Sequence, residues 1–175
     1  MCYNKIMHKK RLIFCCVVLI LLCQVFVPYA SAATKEQGVA VAGHCDVVKE
    51  NLRKVQKEDS RVRVYLGGYY ESILTKFITP LNVRLVENNL SNADLVENQN
   101  NFAAAKTLFV DDFIKYQQGL EELVGMDCKQ DSEKFYDKLV LVRQKRKIMV
   151  QDVLKLRSLI SDHIKLVTGL KGKIK

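Results

Sequence analysis

From Cys45 onward the apolar residues Cys45, Val48, Leu52, Val55, Val62, Leu66, Tyr69, Ile73, Phe77, Leu81 and Leu85 step by three and four, interrupted only where Asp59 occupies a stripe position. That period predicts a long amphipathic first helix. Gly67-Gly68 and Pro80 fall inside it. Proline lacks a backbone donor and crowds the preceding turn, which leaves a bend at the glycines or a break at Thr79-Pro80 open. Asn88-Asn89-Leu90-Ser91-Asn92 is the clearest punctuation in the chain. Ser91 is placed to cap a second helix with Asp94 at its third position. In that helix Leu95, Phe102, Ala105, Phe109, Phe113, Tyr116, Leu120 and Leu123 recur at helical spacing, and Gly125 supplies a left-handed stop.

Asp127, with Gln130 at its third position, is placed to cap a third helix. Its stripe, Phe135, Leu139, Val142, Arg146, Met149, Val153, Leu156, Ile160, His163 and Val167, alternates steps of four and three, and only Arg146 and His163 are polar. Leu141, Ile148, Leu159, Ile164 and Leu166 widen the stripe beyond a two-stranded seam. A wide stripe suits helices that each touch two neighbours. The expected fold is all-α: an elongated antiparallel three-helix bundle of coiled-coil type over residues 45–168, with a basic tail at 169–175. The small, glycine-containing stretch up to Gly43 has no helical period and reads as a flexible lead-in, 33–44.

The start of the chain has a different pattern. Lys5, Lys9, Lys10 and Arg11 precede a run from Leu12 to Val27 that is uncharged and almost wholly apolar, and Pro28-Tyr29-Ala30-Ser31-Ala32 ends in a small-residue cleavage pattern. Residues 1–32 therefore read as a secretory signal peptide. The alternative is an uncleaved anchor, because the uncharged run from Leu12 through Thr34 is 23 residues long, enough to cross a bilayer core of roughly 30 Å. Export changes the charge argument. The full chain has 28 Lys+Arg against 19 Asp+Glu, and loss of four basic residues leaves 24 against 19, a net of +5. That mild excess falls short of the electrostatic footprint of a nucleic-acid binder.

Export also simplifies the cysteines. Cys2, Cys15, Cys16 and Cys23 leave with the signal peptide, so Cys45 and Cys128 have one intramolecular pairing available in an oxidising compartment. The rival reading, a metal site using His44, Cys45 and Cys128, lacks a fourth soft ligand, since His163 lies 35 residues beyond Cys128. The length of the helices tests the disulfide. Cys45 to Leu90 spans 46 residues and Asn92 to Val124 spans 33, an excess of about 20 Å that a bend must absorb.

Nucleophile elbows, zincin motifs and phosphate-cradling glycine loops are absent from the sequence. Asp111-Asp112 and Glu121-Glu122 are adjacent on a helix, diverge by about 100° and cannot share a proton. Two clusters remain. Lys138, Arg143, Lys145, Arg146 and Lys147 form a patch for an anionic partner or, more blandly, a solvated face paired with acids of the second helix. Arg146 stands out because it falls on the apolar stripe, where a polar group can set register. Tyr65, Tyr69 and Tyr70, beside Gly67-Gly68, form either an aromatic binding patch or part of the core. His163 is the one lone helical histidine in a seam position, and Asn89-Leu90-Ser91 matches an N-glycosylation acceptor.

The run from Val62 through Leu85, with Tyr70, Pro80 and Asn82 in it and a cysteine before the last helix, resembles small uncharacterised exported helical proteins of reduced-genome bacteria. The resemblance implies no activity and no binding residue. The expectation is a non-enzymatic protein, without cofactor or metal, exported to the cell envelope or surface and binding a protein or envelope component through a helix face. The alternatives are a membrane-anchored coiled coil that self-associates as a homo-oligomer, touching the membrane only through residues 12–33, and a metal-binding or enzymatic helical protein. Nucleic acid is not an expected partner.

Overall fold

The computed structural model describes residues 35–90 and 92–171; the segment read as a signal peptide, together with Ser91 and the last four residues, lies outside them. Every element among the described residues is helical: α1 (Lys35–Gly43), α2 (Cys45–Ile73), a π-helical segment (Leu74–Ile78), α3 (Thr79–Glu87), α4 (Ala93–Gly125) and α5 (Ser132–Lys171). Two expectations are corrected at the ends. The stretch read as a flexible lead-in contains a nine-residue helix, α1. Tertiary packing holds it despite its weak periodicity: Gly38 is buried where a Cβ would lie 3.2 Å from Glu133 Cγ and 3.3 Å from Ser132 Oγ. At the other end α5 runs on through Gly169 to Lys171, into residues assigned to the tail.

Pro80 does not break the chain. Leu74, Ile78 and Thr79 all keep right-handed helical dihedrals, and the Thr79 amide donates to the Leu74 carbonyl five residues back. The wider turn falls just before the proline, which then sits in the first turn of α3, where a missing N–H is tolerated. Gly67 and Gly68 likewise lie in unbroken helix with open space around them.

The loop chemistry is shifted from expectation by a residue or two. Asn92 caps α4, its side chain accepting from the Asp94 amide at 2.9 Å, while Ser91, the expected cap, lies outside the described residues. The left-handed residue is Asn89 (φ 55°), and no described glycine has positive φ. Leu90 N–H donates to the Leu85 carbonyl and Asn89 N–H to that of Val86, a Schellman closure of α3. Gly125 does not supply a left-handed stop; α4 ends because Met126 turns extended (φ −68°, ψ 149°). The Lys49 ammonium donates to the Met126 carbonyl at 2.9 Å, a cation at the negative helix end. Asp127 caps only the turn that follows, accepting from Lys129 and Gln130 amides, and α5 starts at Ser132.

The core is built on α4. All eight apolar positions predicted there are buried. Tyr70, Phe102, Phe109, Phe113 and Tyr116 form an edge-to-face ladder with ring centroids 5.6 to 6.2 Å apart, the arrangement that aromatic quadrupoles favour. Phe135, Leu139, Val142, Met149 and Leu156 of α5 close over it. Gly119 lets α5 approach closely, since a Cβ there would lie 3.2 Å from Val142. Cys45 and Cys128 form a disulfide with Cα atoms 5.6 Å apart. The feared length mismatch is small. From the Asn82–Leu95 hydrogen bond to the disulfide the two strands of the pairing advance 37 and 33 residues, a slip of about 6 Å at 1.5 Å per residue.

Candidate functional site: the furrow between the first and last long helices

α2 and α5 both pack against α4, while their own backbones hardly approach each other. A furrow therefore runs between them. One stretch, a cleft of about 360 Å³, is lined by Tyr65, Leu66, Tyr69 and Tyr70 of α2 facing Val153, Arg157 and Ile160 of α5. The next, about 420 Å³, is lined by Lys76, Phe77, Pro80, Leu81 and Arg84 facing His163, Ile164, Val167 and Thr168. Val153, Arg157, Ile160, Ile164 and Val167 of α5 follow one another by three and four, so both clefts lie along a single face of that helix.

The furrow is apolar where soluble surfaces are usually polar. Tyr69 is 46%, Phe77 66% and Ile164 57% exposed. Tyr69 and Phe77 belong to the stripe read from the sequence as core, as does Val62, which is also exposed; the residues buried in their place are Tyr70 and Ile78, one position on. The tyrosine patch accordingly splits. Tyr70 is sealed against Phe102 and Phe109, and burial pushes its phenol above the ordinary range. Tyr65 and Tyr69 stack with parallel rings at 6.4 Å on the furrow wall.

The basic cluster divides further. Lys138 pairs with Glu122 of α4, and Lys145 donates to the Lys115 carbonyl at 3.2 Å. Arg146 reaches across to α2 and donates to Asp59 Oδ1 at 3.1 Å, while Tyr116 donates to Oδ2 at 2.6 Å. Arg143 and Lys147 line a shallow surface of α5 beside Val150. The two polar interruptions of the sequence stripes, Asp59 and Arg146, thus find each other and tie three helices at one level. Burial, then the hydrogen bond to Asp59, pushes the Tyr116 hydroxyl well above the tyrosine range. Burial disfavours the Arg146 charge, but its hydrogen bond and attraction to Asp59 outweigh this and hold its pKa above the usual arginine value.

Two further polar groups are buried near the furrow end. Asn82 donates to the Leu95 carbonyl and to Gln99, which donates in turn to Thr79; Asn98 donates to the Leu159 carbonyl of α5. His163 is buried, and its Nδ1 has no partner. Among the described residues no cluster of three metal-ligating side chains exists, and no helix is long and apolar enough to cross a membrane. The metal reading loses both its sulfurs to the disulfide. Sequence reasoning missed Lys76, Phe77, Arg84, Arg157 and Ile164 as one surface, because it is assembled from two helices 80 residues apart in the chain. Compared with known families, curated proteins and solved structures, the chain matches none.

Proposed function

We propose that this chain is an exported, non-enzymatic interaction protein of the cell envelope or surface, an antiparallel three-helix bundle of coiled-coil type that binds another protein through the furrow. The observation that carries the reading is the row of large exposed side chains, Tyr69, Phe77 and Ile164, gathered on the walls of one furrow. Contiguous exposed apolar surface rimmed by polar groups is the mark of an interaction site. Export is supported by the uncharged run and small-residue boundary near the N-terminus and by the Cys45–Cys128 disulfide, which suits an oxidising compartment.

The test places a photo-crosslinking residue at position 77, with position 108, also exposed but on α4, as control, and irradiates the native envelope. A discrete adduct with another protein at 77 and none at 108, on a chain that has lost residues 1–32 and has no free thiol, supports the reading. An adduct of two copies of the chain replaces it with the self-associating coiled coil. Retention of residues 1–32 replaces it with the anchored form.

A further inference from the structure

We propose that the furrow docks a single amphipathic helix of another protein, apolar on the face laid into the seam and acidic along its flanks. The inference rests on the reading above and specifies its partner. Between Tyr65 and Arg84 the wall rises 19 residues of helix, about 28 Å or roughly five turns. A concave seam of that length between two rods is complementary to a third rod, with anchors at the i, i+3, i+4 and i+7 positions.

The charge of the walls sets the sign of the partner. Arg157 lines the first cleft, Lys76 and Arg84 the second, and no carboxylate lines either. None of the three cations is in an ion pair among the described residues. By contrast Lys106 of α4 pairs with Glu71 of α2, and Lys138 of α5 with Glu122 of α4. Acidic flanks on an occupant would meet the three free cations at the rim, where such pairs set specificity and association rate. A second copy seated in the same furrow about a two-fold axis would oppose these cations to themselves. His163 and Thr168 add polar side chains to the second cleft, the histidine itself buried.

The experiment uses the oxidised mature chain and three probes: a 20-residue peptide with leucines at helical spacing and glutamate flanks, its isomer with lysine flanks, and phosphatidylglycerol vesicles. Peptide anisotropy is read at physiological salt. The glutamate peptide is expected to bind at least about 10-fold more tightly than the lysine isomer, a difference of about 1.4 kcal/mol. The double variant Lys76→Glu, Arg84→Glu should invert that preference, and Phe77→Ala should weaken both peptides; all three side chains are exposed, so the fold is retained. Equal binding of the isomers, binding of neither, or a preference untouched by the charge reversal overturns the inference. So does tight vesicle binding that the glutamate peptide cannot displace, which would assign the furrow to a lipid surface. A protein adduct at position 77 without peptide discrimination removes this inference alone; absence of the adduct removes the underlying reading too.

Discussion

The helical run from Cys45 to Glu87 has two flanks, and they are used in opposite ways. Toward α4 it buries Asp59, Tyr70, Ile78 and Asn82, two of them polar. Toward α5 it leaves Tyr65, Tyr69 and Phe77 in solvent. Hydrophobicity alone does not sort these residues. What sorts them is whether a neighbouring helix lies within reach: Asp59 is inside because Tyr116 and Arg146 satisfy its carboxylate, and Phe77 is outside because α5 stays too far away to cover it.

The sharpest way to break this comparison is to truncate one phenylalanine on each side. Phe113 is fully buried in the aromatic ladder, so Phe113→Ala should cost about 3 to 5 kcal/mol of unfolding free energy. Phe77→Ala should cost less than about 1 kcal/mol, as for other exposed positions. Urea unfolding of the oxidised chain measures both. A large loss at Phe77 would mean that the furrow is already filled in solution.

The Asp59–Tyr116–Arg146 tie is the next test, because there α5 reaches directly to α2 through charge. Arg146→Leu leaves the Asp59 carboxylate buried with only a phenol for company. Removing one partner of a fully buried pair costs about 3 to 5 kcal/mol, but the Arg146 side chain is half exposed, so about 1 to 2 kcal/mol is expected. Adding Asp59→Asn removes the charge yet keeps an acceptor for Tyr116, and should recover most of the loss in a double-mutant cycle. Additive costs would show that the pair is screened by water and does not couple the helices.

The α4 stripe was legible in the sequence residue for residue, and so was the pairing of Cys45 with Cys128. The α2–α3 stripe was not, and the reason is phase. Its buried residues fall at 45, 59, 70, 78, 82 and 85, separated by 14, 11, 8, 4 and 3. Steps of three and four taken in strict sevens hold the face from Cys45 to Asp59 and again from Ile78 to Leu85, but not between Asp59 and Ile78. The 11-residue interval belongs to a straighter helix, and the 8-residue one spans the π segment, whose extra residue turns the following face. Tyr69 and Phe77 were therefore placed inside by a count that slipped by one. Asp59 and Asn82 carried the correct phase, but a polar residue in a stripe reads as an interruption until its partner on another helix is known. The furrow itself needs the distance between α2 and α5, which no local pattern encodes.

The smallest expected effect is a pH dependence seated at the furrow floor. Burial lowers the pKa of His163 below its ordinary value of 6.5. The unfolded imidazole takes up a proton as the pH falls through about 6.5, whereas the folded one resists until lower pH. In that window the unfolded state binds more protons, so stability falls with acidification and levels off below the folded pKa. Asp152 acts in the opposite sense further down: burial, and then the nearby Asp112, raise its pKa above 3.8, so the folded state holds that proton more firmly and gains on acidification. Glu50, Glu122, Asp127 and Asp162 have lowered pKa values and lose their contributions only in the acid range. The histidine is therefore isolated by comparing the chain with its His163→Gln variant just below pH 6.5. The Tm of the parent should fall there relative to the variant. A difference that stays flat with pH would mean that water already reaches His163, and that the floor of the furrow is as wet as its rim.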